Sequence, residues 1–459
     1  MDRTERELAR LDRAHLVHGF GSPAQTDRDG TVRLVKGRGI HVWDSEGRRY
    51  VDGVSSLWNV NVGHGRPEIA RAISQQTRAI EYAPTLIGFS SEPAIRLAAR
   101  IAKMAPKGLN RVMFTGGGSE SNETVIRLVR LLASLSGKPG KVGIVALTRA
   151  YHGSSTGAAS LTGLESFHRH YEPLMEGVFR MARPDCYRCE LGKTYPQCAL
   201  ACADELERLV EREGADRIGA FICEPVQGVG GVIPPPAGWL ARIREICDRH
   251  DILLVADEVI TGFGRLGRNF GVQAAKVVPD MIAFAKGVTS GYVPLGGVIL
   301  HERLYQIILD AGEDFVLHHG YTYSGHPVAC AAGLANLDVL EAEDLIPGVR
   351  RKSKPFARAL AGLSRHPIVG GTRTAGLMGA VELVRDRDSR EPFADAEKVP
   401  WRVRQAALRR GVLLRAGLSF VVVCPPFVIT DDQIDDLIGR LDEAIAEVQA
   451  ELGYGSRPG

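Results

Sequence analysis

Four apolar runs in this chain end on side chains that could do chemistry. In "AFAKGVTSGYVPLGG" the run closes on Lys286. A buried ammonium group is costly unless it is paired, neutralised or used covalently. The plain alternative is a lysine marking the strand's exit into solvent. After "ILLVA" stand Asp257 and Glu258, and a carboxylate deep in a crevice needs a cationic partner or hydrogen bonds. After "RVMFT" comes "GGGSESNETVIRLVR", a glycine-rich turn that opens an amphipathic helix. Its amides and the Ser119 hydroxyl suit an anion such as phosphate. After "VGIVALTRA" come Tyr151, His152 and Gly153, which read either as a platform for a flat ring or as half-buried loop aromatics.

These groups need elements to hold them. Strand-like runs ("RVMFTG", "KVGIVAL", "GAFICEP", "ILLVADE", "MIAFAK", "GGVIL") alternate with helical segments such as "DELERLVERE" and "GWLARIREICDRH". That alternation predicts an α/β fold with a largely parallel sheet. In such sheets ligands sit outside the carboxyl ends of the strands, where all four groups lie. Earlier, "GIHVWDSEGRRYVDGVSS" predicts a hairpin turning at Asp44-Ser45-Glu46-Gly47. Beyond about residue 340, amphipathic helices mix with the short strands "LMGAVELV" and "FVVVCPP". The expected organisation is a large central domain over 67–335 and a smaller α+β domain built from both chain ends, 1–66 and 336–459.

Composition excludes several classes. The 459 residues are 44% hydrophobic and 24% charged, as in an ordinary globular protein, and a net charge of +3 gives no reason to expect nucleic acid or an anionic membrane as partner. No apolar run approaches the roughly 18 residues that span a bilayer, and "MDRTERELARLDRAHLVHGF" lacks a signal peptide's apolar core. A cytoplasmic location is the expectation. The 52 glycines cluster in loops such as "TGGGSE" and "VQGVGGV", where backbone can approach a ligand. The tail "GYGSRPG" is expected to fray.

A phosphate cradle, a ring platform, a carboxylate and a lysine are together what pyridoxal phosphate (PLP) requires. Its phosphate takes a helix start, its ring takes stacking, its pyridinium nitrogen takes an anion and its aldehyde takes a lysine. "ADEVITGFGRLGRNFG" followed by "PDMIAFAKGVTSGYVPLGGV" closely resembles the signature of class III PLP-dependent aminotransferases. "LWNVNVGHGRPEI", "FTGGGSESNETVIRL", "YHGSSTGAASLTG", "EPVQGVGGVIPPP", "HGYTYSGHPVACAA" and "LLRAGLSFVVVCPPFVIT" match in the same order. The resemblance spans nearly the whole chain. It implies fold type I and a homodimer, possibly assembling further to a tetramer, with active sites at the subunit interface.

The resemblance also implies roles. Lys286 would bind the cofactor and act as base, Asp257 would pair with the pyridine nitrogen, and Glu224 would orient its neighbours. Tyr151, beside His152, would stack on one ring face and Val259 would cover the other. Gly117, Gly118 and Ser119 would hold the phosphate, with Thr322 reaching over from the partner subunit. The family usually has serine before the Gly-Ser pair; here Gly116-Gly117 stand there, which removes one hydroxyl contact.

Arg415 resembles the mobile arginine of amine:pyruvate (ω-) transaminases, where it pairs with a carboxylate. Leu57, Trp58, Phe89, Tyr151 and Ile260 would wall an apolar pocket. The implied reaction is ping-pong transfer from an arylalkyl amine or ω-amino acid to pyruvate, giving alanine. Strict taurine or β-alanine:pyruvate transfer is one alternative, and an aminomutase of the glutamate-1-semialdehyde type is another. No metal is expected at the reactive site. Cys186, Cys189, Cys198 and Cys202 have the spacing of a thiolate zinc site, though two disulfides or reduced thiols are equally open.

Overall fold

The computed structural model describes residues 3–454; the end of the tail, 455–459, lies outside them. Strands β1 (Leu34–Arg38), β2 (His41–Asp44) and β3 (Arg49–Asp52) form an antiparallel meander. The turn after β2 is built by Asp44, whose Oδ1 accepts the amides of Glu46 at 3.0 Å and Arg48 at 2.9 Å, an Asx-type turn.

The central sheet follows: β4 (Leu109–Thr115), β5 (Gly143–Leu147), β6 (Val178–Met181), β7 (Ile218–Cys223), β8 (Leu253–Asp257), β9 (Met281–Phe284) and β10 (Gly296–His301), in the order β4–β10–β9–β8–β7–β5–β6. Neighbours from β9 through β6 pair in parallel, while β10 runs antiparallel to both β9 and β4. The apolar runs "GIVAL", "IGAFIC" and "MIAF" are buried at every position, as expected of strands covered on both faces. The sequence reading finds six of these seven strands. It misses β6, a four-residue edge strand that is mostly half-buried.

Helices cover the sheet by their apolar stripes. In Ala201–Glu213, for example, Leu206, Leu209 and Val210 are buried at helical spacing. The chain ends complete two further sheets. The strands β11 (Val369–Ala375), β12 (Met378–Leu383), β13 (Val412–Leu413), β14 (Arg415–Ala416) and β15 (Phe420–Val423) come last. Four of them form the sheet β11–β12–β15–β14. The fifth, β13, pairs in parallel with β3, setting Val412 opposite Val51. Among the described residues no helix is long and apolar enough to cross a membrane.

Candidate active site

The strands β4, β5, β7, β8 and β9 point the same way, so their carboxyl ends bring distant residues to one edge. At the end of β8, Asp257 is buried and fixed from three sides. Oδ2 accepts Asn122 Nδ2 at 2.8 Å and lies 2.8 Å from His152 Nδ1, while Oδ1 accepts the Val259 amide at 3.0 Å. His152 is itself buried, so it serves Asp257 rather than extending the Tyr151 platform. Its Nε2 has no partner among the described residues.

Lys286, just past β9, sits at φ 45°, a left-handed conformation that a non-glycine residue holds only when its surroundings impose it. Its ammonium makes no hydrogen bond or ion pair among the described residues. Burial draws its pKa down from 10.5 to about 8, against the pull of the Asp257 and Glu224 carboxylates. Glu224, past β7, accepts the Tyr151 amide at 3.0 Å and the Gly228 amide at 2.8 Å. Burial pushes its carboxyl up to about 7, with His152 opposing and Asp257 adding to the rise. Glu258 faces elsewhere: it accepts the amides of Gly271 and Val272, both at 2.8 Å, and ties down a neighbouring loop.

Past β4, the helix Gly118–Leu135 begins. Its first-turn amides have no intrahelical acceptor. The Gly116 amide is taken by Glu120 Oε2 at 2.7 Å, which leaves Gly117, Gly118 and Ser119 as the cradle. A side chain on Gly117 would meet nothing within 4 Å, so the space beside this residue is open. Gly153 brings the Tyr151 loop against this helix start; a Cβ there would lie 2.6 Å from Ser119 Oγ. The Tyr151 ring meets Phe167 edge-on at 5.2 Å, and Phe167 meets Phe20 at 5.7 Å.

The apolar walls separate into two groups. Trp58 and Ile260 are buried in one cluster with Phe420 and Cys424. They converge with Glu224 on Gly228, where a Cβ would lie 2.6 Å from Ile260 Cδ1 and 3.3 Å from Trp58 Cζ3. Leu57 and Phe89 are instead exposed, each at 63%. Phe89 belongs to a segment packed against the one that carries Thr322: Tyr82 donates its hydroxyl to Thr322 O at 2.8 Å, and Thr85 Oγ1 donates to Ser324 O at 2.9 Å. Arg415, half-buried beside Tyr151, makes no hydrogen bond or ion pair among the described residues; burial lowers its pKa, and Tyr151 opposes that.

Sequence reasoning misses Asn122, Phe167 and Phe20. Nothing in their local sequence marks them, because each acts through a contact made only in the fold. Gly228 carries a signal, since it lies in the glycine-rich "VQGVGGV". Cys186, Cys189, Cys198 and Cys202 line one small cavity as unpaired thiols. Among the described residues no three His, Cys, Asp or Glu side chains are arranged to hold a metal ion.

A family model, Aminotransferase class-III, matches residues 24–445. The chain is 38% identical over 451 residues to the putrescine–pyruvate aminotransferase of Pseudomonas aeruginosa, an alignment covering 97% of this chain and 98% of that one. An (S)-enantioselective omega-transaminase from Thermomicrobium roseum superposes with a TM-score of 0.94 at 43% identity, over 96% of this chain and 98% of that one. An amine transaminase from an uncultivated Pseudomonas species, solved in its PLP-bound form, superposes with a TM-score of 0.92 at 39% identity, over 95% and 99%. The chain belongs to the class III aminotransferases, PLP-dependent enzymes of fold type I. Its residues fit that cofactor. The structure has a helix start whose first amides have no acceptor among the described residues, a firmly held buried carboxylate, and a lysine with a lowered pKa whose amine has no partner among those residues.

Proposed function

We propose that this aminotransferase moves an amino group from a primary amine or ω-amino acid to pyruvate, giving alanine, in a ping-pong cycle in the cytoplasm. The observation that carries this reading is Arg415. A half-buried guanidinium without a partner among the described residues, beside Tyr151 and within electrostatic reach of Lys286, suits a carboxylate held in a bidentate clamp. The buried apolar pair Trp58 and Ile260 suits the carbon skeleton of an amine. The putrescine–pyruvate relative supports the same pairing of substrates, and the amine transaminase relative supports an amine donor.

Bound PLP would supply an electron sink for the transfer. The chain would supply the rest. Gly117, Gly118 and Ser119 would hold the phosphate, while Tyr151 and Val259 would cover the two ring faces. Asp257, fixed by Asn122 and His152, would offer its carboxylate to the pyridine nitrogen. Lys286 Nζ, with its pKa near 8, would take a proton from the donor carbon and could return it close to neutral pH. Glu224 fixes the Tyr151 and Gly228 backbones and holds a proton near pH 7.

The same reading divides the chain into the large unit 67–335 and the small unit from both ends. The helix Pro327–Ala342 carries the junction, and the β3–β13 pairing supports joining the ends. It also makes the protein a homodimer. Phe89 and Thr322 share one exposed face, so both would complete the partner's site.

The test is a panel of 1-phenylethylamine, β-alanine, taurine and putrescine with pyruvate, followed as alanine formed. Turnover of at least one donor is expected, and Arg415→Ala should raise the KM for pyruvate about tenfold or more. Turnover confined to taurine or β-alanine would narrow the enzyme to that donor. Isomerisation without a keto acid, or no alanine from any donor, would overturn the proposal.

A further inference from the structure

The turn that carries the pocket wall is strained. Ser55, Ser56 and Trp58 have φ of 48°, 57° and 66°, left-handed values that side chains resist. Two buried charged side chains bond to the turn. Asp52 accepts the Ser56 amide at 2.8 Å and its hydroxyl at 3.2 Å, and lies 2.8 Å from His64 Nε2. Arg265, 0% exposed, has no carboxylate hydrogen-bonded to it among the described residues.

Arg265 reaches four parts of the chain. Its Nη2 donates to Ser55 Oγ at 3.2 Å and to Asn61 Oδ1 at 2.7 Å. Its Nη1 donates to Pro425 O at 2.7 Å and Leu377 O at 3.4 Å, and its guanidinium lies 4.5 Å over the Phe427 ring. Ser55 Oγ in turn donates to Cys424 O at 2.7 Å. Cys424 follows β15, which pairs with the β14 strand of Arg415. Asn61 packs against Gly287, next to Lys286, where a Cβ would lie 2.6 Å from Asn61 Nδ2.

We propose that Arg265, acting through Ser55, is a positioning residue for donor selection: with Asp52 it holds the strained turn so that Trp58 stays seated against Ile260 and fixes the width of the amine pocket. This rests on the amine pocket of the preceding section. A buried guanidinium bonded to neutral acceptors from separate parts of the chain is a costly device. A turn needing only stability would be served by residues that accept left-handed geometry, such as glycine. Here the wall is kept by force; the strand pair that carries Arg415 is linked to the same group through Ser55 and Cys424, and the turn of Lys286 packs on Asn61.

The test uses Ser55→Ala and Ser55→Gly in the cofactor-loaded enzyme. Both remove the hydroxyl, and glycine also relieves the φ strain, so a fault shared by both reports the lost link rather than added strain or misfolding. The ratio of kcat/KM for 1-phenylethylamine to that for a small donor, isopropylamine, should change about fivefold in both variants, through KM. The visible band of the lysine-bound cofactor should be unchanged. Amide hydrogen exchange over residues 53–62 should quicken. An unaltered donor ratio with active protein, or unaltered exchange in both variants, would overturn the proposal. If the wild-type enzyme transaminates no amine, the functional reading fails, while the exchange measurement still decides whether Ser55 tethers the turn.

Discussion

At the scale of single residues, the two groups with the largest chemical burden differ in how they are held. Asp257 is saturated with partners, whereas Lys286 has none among the described residues. An anion that must stay charged in a buried place needs donors around it, and an amine that must react needs its lone pair free. Burial lowers the Lys286 pKa from 10.5 to about 8, so the neutral amine becomes the main form as pH rises through about 8. The rate at which the apoprotein captures PLP should therefore climb with pH and level off above about 8; stopped-flow absorbance measures it. A climb still continuing towards pH 10 would show an ordinary lysine. Lys286→Ala should lose the lysine-bound band and all transamination. Both residues are legible in the sequence because strand ends in a parallel sheet gather at one edge. Asn122 and His152 are not legible as partners of Asp257, since their meeting depends on how the helix Gly118–Leu135 and the Tyr151 loop pack.

At the scale of elements, the sheet is legible in its composition and its largely parallel direction, but the reversal at β10 is not. The run that forms β10 is as apolar as its neighbours, and burial on both faces looks the same for a parallel or an antiparallel strand. The four-residue β6 interrupts its apolar run with Arg180 and lies mostly half-buried at the sheet edge, so its pattern does not separate from a loop. The helix start at Gly118 is legible from its glycines, and the structure adds a reason for one of them. A Cβ on Gly118 would lie 2.9 Å from Val259 Cγ1 and 3.2 Å from Cγ2. Gly118→Ala should push Val259 or the first helical turn aside, a disturbance of about 1–3 kcal/mol. Cofactor affinity should fall roughly tenfold or more, measured by dialysis against graded PLP with the fold intact by circular dichroism. Unchanged affinity would mean that this contact does not shape the cradle.

At the scale of the whole molecule, the exposed apolar residues of the 82–89 and 316–323 segments include Ile87 at 89% and Tyr323 at 64% exposed. A face of this kind calls for a cover, and the homodimer proposed above supplies one. Ile87→Asp would place a charge there twice in a two-fold interface. It should raise the dimer dissociation constant about a hundredfold, read by sedimentation velocity, with activity falling as dimers are lost. A variant that remains dimeric and fully active would exclude this face. The pairing of Val51 with Val412 also orders the molecule in time. During synthesis the N-terminal strands leave the ribosome hundreds of residues before β13 exists, and Ser55 waits as long for Cys424. The central sheet, made of nearer neighbours, can form first. The turn bearing Trp58 is then set only once the C-terminal strands arrive, so an interrupted translation product would carry the lysine and the phosphate cradle but no finished pocket in which to use them.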